Sequence, residues 1–106
     1  MPKFSTSVPH SFGVAKAKES LKSYMEKAKE MSPDKFSSLQ TDWAKWDTDN
    51  QVGFAISISG INIKGLMNVT DDKIAVDGDI PFAAMMFKGK IEQGFRDMVE
   101  KVIAAG

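Results

Sequence analysis

The only histidine of the chain, His10, stands in VPHSFG with a serine beside it. A histidine can serve as a general base, which needs an orienting partner and a nucleophile, and no serine–histidine constellation accompanies this one. No second histidine and no cysteine accompany it. His10 falls where a short strand gives way to a helix, a position that suits a side chain tying down a junction. Replacing it with alanine is expected to cost stability without abolishing a reaction. Asp77 and Asp79 in AVDGDIP share one strand face and could mimic a carboxylate pair. The expected register sets Lys64 opposite Asp79, so a solvated cross-strand ion pair accounts for them. Asp71 and Asp72 fall in TDDK, where aspartate is favoured for backbone reasons. DTDN at 47–50 offers oxygen ligands but lacks the glycine and closing glutamate of a calcium loop. GFAISISG matches neither phosphate-binding fingerprint. The expectation is a protein with no catalytic residues, no metal and no cofactor.

Around these residues stand elements legible from period and punctuation. The 106 residues suffice for one domain, 1–106, and no repeat or linker divides them. Phe4, Thr6 and Val8 alternate with Lys3, Ser5 and Ser7, a short strand fenced by Pro2 and Pro9. Ser11 is positioned to cap a helix whose apolar stripe runs Val14, Ala17, Leu21, Tyr24, Met25, Ala28, Met31, and Ser32-Pro33 stops it. Leu39–Trp46, Val52–Ser59, Ile61–Val69 and Ile74–Ile80 read as strands separated by DTDN, a Ser59-Gly60 turn and TDDK, lengths that imply antiparallel pairing. The helical period returns from Ala84 to Ala104. Val52, Phe54, Ile56 and Ile58 share one face, and Ile61, Ile63, Met67, Val69, Ile74, Val76 and Ile80 continue it. The fold class is therefore α+β: a single antiparallel sheet of about five strands with two amphipathic helices on one face, β-α-β-β-β-β-α.

Two places do not reduce to core. If TDDK pairs Val69 with Ile74, counting back sets Gly65 opposite Gly78 on the inner face, with Phe54 on the other flank of Gly65. Either an aromatic ring or the last helix fills the gap, or an apolar ligand enters a cavity among Phe54, Gly65, Gly78, Phe87 and Ile91. The second place is the run PFAAMMF. On a 100° projection centred on Ile91, the residues Ala84, Phe87, Phe95, Met98 and Val102 form the stripe that seals the sheet. Phe82, Met85 and Met86 fall away from it. They are either buried at the strand-to-helix corner or held out as an adaptable apolar patch. Trp46 is expected to point outward and Trp43 inward, opposite Phe54.

Composition narrows the partners. Fourteen basic and fourteen acidic side chains cancel, so no global field attracts nucleic acid. No stretch approaches a signal peptide or membrane span, and zero cysteines suits a reducing compartment, which points to a cytoplasmic protein.

VPHSFG before a lysine-rich helix, a tryptophan near the next strand, GINIKGLMNVTDDKIAVDGDIP, and FKGKIE opening the last helix together resemble the small polyhydroxyalkanoic acid system family. That family is named for bacterial gene regions serving storage-polyester granules. The resemblance runs from Val8 to Val102. It matches His10 and Gly13 in the entry motif, with Phe12 for the more usual leucine. It also matches Gly65, Gly78 and Pro81 of the sheet, and Lys88, Gly89, Lys90, Ile91 and Glu92 at the helix opening. It transfers no catalytic residues. It implies a non-enzymatic, granule-associated protein whose partner is the polyester surface, an apolar ligand or another granule protein. The docking candidates are Phe82, Met85 and Met86, with Lys88 and Lys90 at their edge and Trp46 beside them. A protein-interaction adaptor using the same patch is the alternative, and an enzyme of unknown reaction a third. The layout is also similar to a reduced helix-grip, a class whose larger members bind lipids.

Overall fold

The structure, a computed structural model, describes residues 2–31, 33–58 and 60–105. Alternation sets β1 (Lys3–Pro9), whose Phe4 and Val8 are buried while Lys3, Ser5 and Ser7 face solvent. The helical stripe sets α1 (Val14–Met31), which buries Ala17, Leu21, Met25 and Ala28. A short α2 (Pro33–Phe36) leads to β2 (Gln40–Asp42), and a helical turn, α3 (Trp46–Asp49), leads to β3 (Gln51–Ile58). Strands β4 (Ile61–Val69) and β5 (Lys73–Asp79) follow, then a 3₁₀ segment (Phe82–Phe87) that runs into α4 (Lys88–Ala105).

The five strands form one antiparallel sheet in the order β1-β5-β4-β3-β2, so the first strand closes onto the last. The hairpin register is the expected one: Val69 pairs with Ile74, Gly65 with Gly78 and Phe54 with Gly65. Both long helices cover the face bearing Phe54, Ile56 and Met67, against which Met25 of α1 and Phe95 and Met98 of α4 pack. The α+β class and the one-sided arrangement of the helices stand as expected.

Several local expectations are corrected. β2 ends at Asp42 instead of continuing to Trp46. The Asp42 carboxylate accepts the Ala44 N–H at 3.0 Å, a local turn that competes with the strand ladder. DTDN is consequently no simple hairpin loop: its first three residues are helical, and Asn50, at φ 56°, turns the chain into β3. Ser11 does not stand at the start of α1, which begins three residues later behind Gly13 at φ 79°. Asp79 pairs with Lys3 of β1 at 3.1 Å instead of Lys64, although both lysines are its register partners. Ser32 and Ser59, assigned to a helix stop and a hairpin turn, lie outside the described residues.

Candidate functional site

His10 does what its position suggested and is fully occupied in doing so. Its Nδ1 accepts the Phe12 backbone N–H at 3.1 Å, which places the ring proton on Nε2, and Nε2–H donates to the Thr70 carbonyl at 3.0 Å. Its backbone N–H donates to the Asp72 carbonyl at 2.9 Å. The residue thus latches the β1–α1 junction to the turn between β4 and β5, leaving neither ring nitrogen free to accept a proton from a substrate. His10→Ala should lower stability by about 1–2 kcal/mol, because a backbone donor and acceptor lose their partners. Chemical denaturation checks this, and a folded variant with undiminished stability would contradict it.

The carboxylates are similarly engaged. Asp77 accepts the Ser5 hydroxyl at 2.6 Å and Asp79 the Lys3 ammonium, both on the solvent face of the sheet. Among the described residues, no group of three or more histidine, aspartate or glutamate side chains is placed to hold a metal ion.

The glycine pair encloses no ligand site. Phe4 pairs across the sheet with Gly78 and Phe54 with Gly65, giving one row, Phe4–Gly78–Gly65–Phe54, across four strands. Both rings lie over the glycines, and Phe95 of α4 packs on both, with centroids 5.3 Å from Phe4 and 5.2 Å from Phe54. A Cβ at Gly78 would lie 2.6 Å from Phe4 Cε1, and one at Gly65 would lie 2.9 Å from Phe54 Cζ. The cavity proposed among Phe54, Gly65, Gly78, Phe87 and Ile91 is thus filled by aromatic carbon, and Phe87 is partly exposed instead of lining it. An apolar cleft beside Phe54 and Phe95, bounded by Tyr24, Phe36 and Met98, holds about 20 Å³. That is room for about one water molecule.

Trp46 is also corrected. It is buried, in edge contact with half-buried Trp43 at 4.9 Å, with the Lys18 ammonium 5.2 Å above its ring. Because β2 stops at Asp42, strand alternation does not reach Trp46, and α3 turns its indole into the core.

The apolar run is the remaining candidate. Pro81, at φ −65° and ψ 153°, ends the strand direction, and residues 82–87 wind as a 3₁₀ helix whose Ala84 is buried. A 3₁₀ turn holds three residues, so the 100° projection does not apply there. Phe87, assigned to the sealing stripe, is for this reason partly exposed. Phe82 is 74% exposed, Met85 52% and Met86 83%.

These three have neighbours the sequence did not single out. The sheet has two ends: one at the β4–β5 turn, with Asp71, Asp72 and the His10 latch, the other at the β3–β4 hairpin, where Ile58 pairs with Ile61. β5 finishes at the hairpin end, tied by the Ile80 N–H to the Pro2 carbonyl, and the 3₁₀ segment starts there. α1 finishes there as well, since Ala28 packs near Leu39 and Ile56 and Met31 lies one turn beyond. Among the described residues, the exposed large apolar side chains are Met31, Ile58, Leu66, Phe82, Met85, Met86 and Phe87. Ile58 ends β3, Met31 ends α1 and Phe82 follows β5, all towards the hairpin end, and Met85, Met86 and Phe87 lie on the 3₁₀ segment that leaves it. Exposed Lys88 and Lys90 adjoin that segment. The helical period sets Met31 on the α1 stripe, and strand alternation sets Ile58 on the inner sheet face. Their period was right, but each extends past the layer that would cover it.

A one-sided α+β sheet protein with a filled core and an exposed apolar end is what fold and site define. By its sequence the chain belongs to the polyhydroxyalkanoic acid system protein family, whose model matches residues 5–103. No curated protein and no solved structure matches it. Among the described residues, no helix is long and apolar enough to cross a membrane.

Proposed function

We propose that this protein is a non-enzymatic, cytoplasmic binding protein that adsorbs end-on to the surface of storage-polyester granules. The observation that carries the proposal is the exposure of Phe82, Met85 and Met86 on the 3₁₀ segment that leaves the hairpin end, where Met31 and Ile58 are exposed as well. Family membership supplies the polyester context. The shape of the end favours an extended surface as partner. Its side chains come from three separate segments, and the apolar cleft nearby is too small for a peptide side chain or an acyl chain. Methionine's flexible thioether adapts to an irregular surface, and Lys88 and Lys90 keep the rim hydrated. With no net charge, the protein has no long-range attraction to compete with apolar contact.

The test compares bare and protein-coated polyester particles. Adsorption of the wild-type protein to bare polymer, measured by co-sedimentation, is the expected result. Binding confined to coated particles would assign the patch to a partner protein instead, and binding to neither would overturn both readings.

A further inference from the structure

The free edge of β1 carries a second inference, independent of the apolar end. β1 and β2 are the outer strands of the sheet, and β2 has only three residues. β1 has seven, bounded by Lys3 and Pro9. The Ser5 N–H points away from β5, because it donates to the Glu92 carboxylate of α4 at 2.9 Å. Strand alternation turns the N–H and C=O of Ser7 the same way. Ser5–Ser7 form one wall of a polar groove of about 350 Å³, and Gly89, Glu92, Gln93 and Arg96 of α4 form the other. An outer strand beside a helix is the geometry in which extended chains add to a sheet. Glu92 supplies the acceptor that the carbonyl of an added strand would bring.

We infer that the occupant is β1 of a second copy, paired antiparallel about a two-fold axis at Thr6. In that register Ser5 of each copy faces Ser7 of the other, and the two exchange N–H···O=C bonds. Phe4 then stands opposite Val8, continuing the apolar face. The axis lays the two α4 helices side by side in opposite directions, so that Glu92 of one copy meets Arg96 of the other, twice. Glu92 leaves the Ser5 N–H to the incoming carbonyl, and Arg96 exchanges Glu100, now 3.1 Å away, for the second copy's Glu92. This charge complementarity favours a second copy over an unrelated peptide. Isologous pairing of this kind closes as a dimer and leaves no free β1 edge.

Sedimentation equilibrium across a concentration series tests the assignment, with circular dichroism as the control for folding. The wild-type protein should dimerise. Ser7→Pro removes only the outward N–H, which the internal ladder does not use, and should give a folded monomer. Arg96→Glu, on an exposed turn of α4, should weaken the dimer at least tenfold, and adding Glu92→Arg should restore it. A wild-type protein that stays monomeric at every concentration overturns the inference, even if it takes up an unrelated extended peptide. So does a dimer that Arg96→Glu leaves intact, or one that the exchanged pair fails to restore.

Discussion

Gly78→Val should destabilise the protein by about 3 kcal/mol or more, towards the upper limit of what overpacking a core costs. The new Cβ would meet Phe4 at 2.6 and 2.7 Å and press on the Lys64 backbone carbonyl. Neither neighbour can yield easily. The carbonyl belongs to the central strand β4, and Phe4 is 1% exposed, stacked at 13° under Phe95. Displacing the ring would also disturb Phe95 and hence Phe54. Against a typical total stability of about 5–15 kcal/mol, such a loss removes much of the margin. It lowers the melting temperature by roughly 10 °C or more for a domain of this size. Gly78→Ala should already show a clear fraction of it. In Phe4→Leu/Gly78→Ala the two effects should be less than additive, because the shorter side chain vacates the contact. Gly94→Ala is the control: nothing lies within 4 Å of its Cβ on α4, so helix propensity should make it neutral or stabilising by up to about 1 kcal/mol. If Gly78→Val melted like the wild type, a void would have to lie where the rings are.

This row of residues also shows what was legible before the structure. The pairing of Gly65 with Gly78 followed from the TDDK turn, and Phe54 beside them from the expected Ser59-Gly60 turn, each with strict alternation and each local. Phe4 did not follow, because the choice of β5 as neighbour of β1 joins residues 64 to 76 positions apart and leaves no local signature. Trp46 failed for the opposite reason. A local competitor, the Asp42 carboxylate on Ala44 N–H, ended the strand before its alternation reached the indole. The 100° projection set Phe82, Met85 and Met86 apart, but its angle does not hold in a 3₁₀ segment, and the same projection misplaced Phe87. Met31 and Ile58 could not be set apart, because nothing in their spacing tells where the covering layer ends.

The largest effect on function should come from Phe82, Met85 and Met86 together. Fully burying one such side chain contributes about 1.5–3 kcal/mol, and all three are more than half exposed in the free protein. Scaled to the area still exposed, their combined contribution is at most about 3–6 kcal/mol before the costs of association, which suffices for weak, reversible adsorption. Each 1.4 kcal/mol corresponds to about a tenfold change in affinity. Replacing all three with serine should therefore weaken binding by about a hundredfold or more. Folding should be little affected, because Ala84, the buried residue of the 3₁₀ segment, is untouched. Met31 and Ile58 remain in the triple variant, so a residual affinity is expected, and their further replacement should remove it.

The most direct test is equilibrium binding of this triple-serine variant and the wild-type protein to purified bare polyester particles, after circular dichroism has shown that the variant is folded. If the exposed side chains hold the protein on the polymer, wild-type binding is saturable and the variant loses about two orders of magnitude in affinity. A folded variant that binds bare polymer as tightly as the wild type would contradict this.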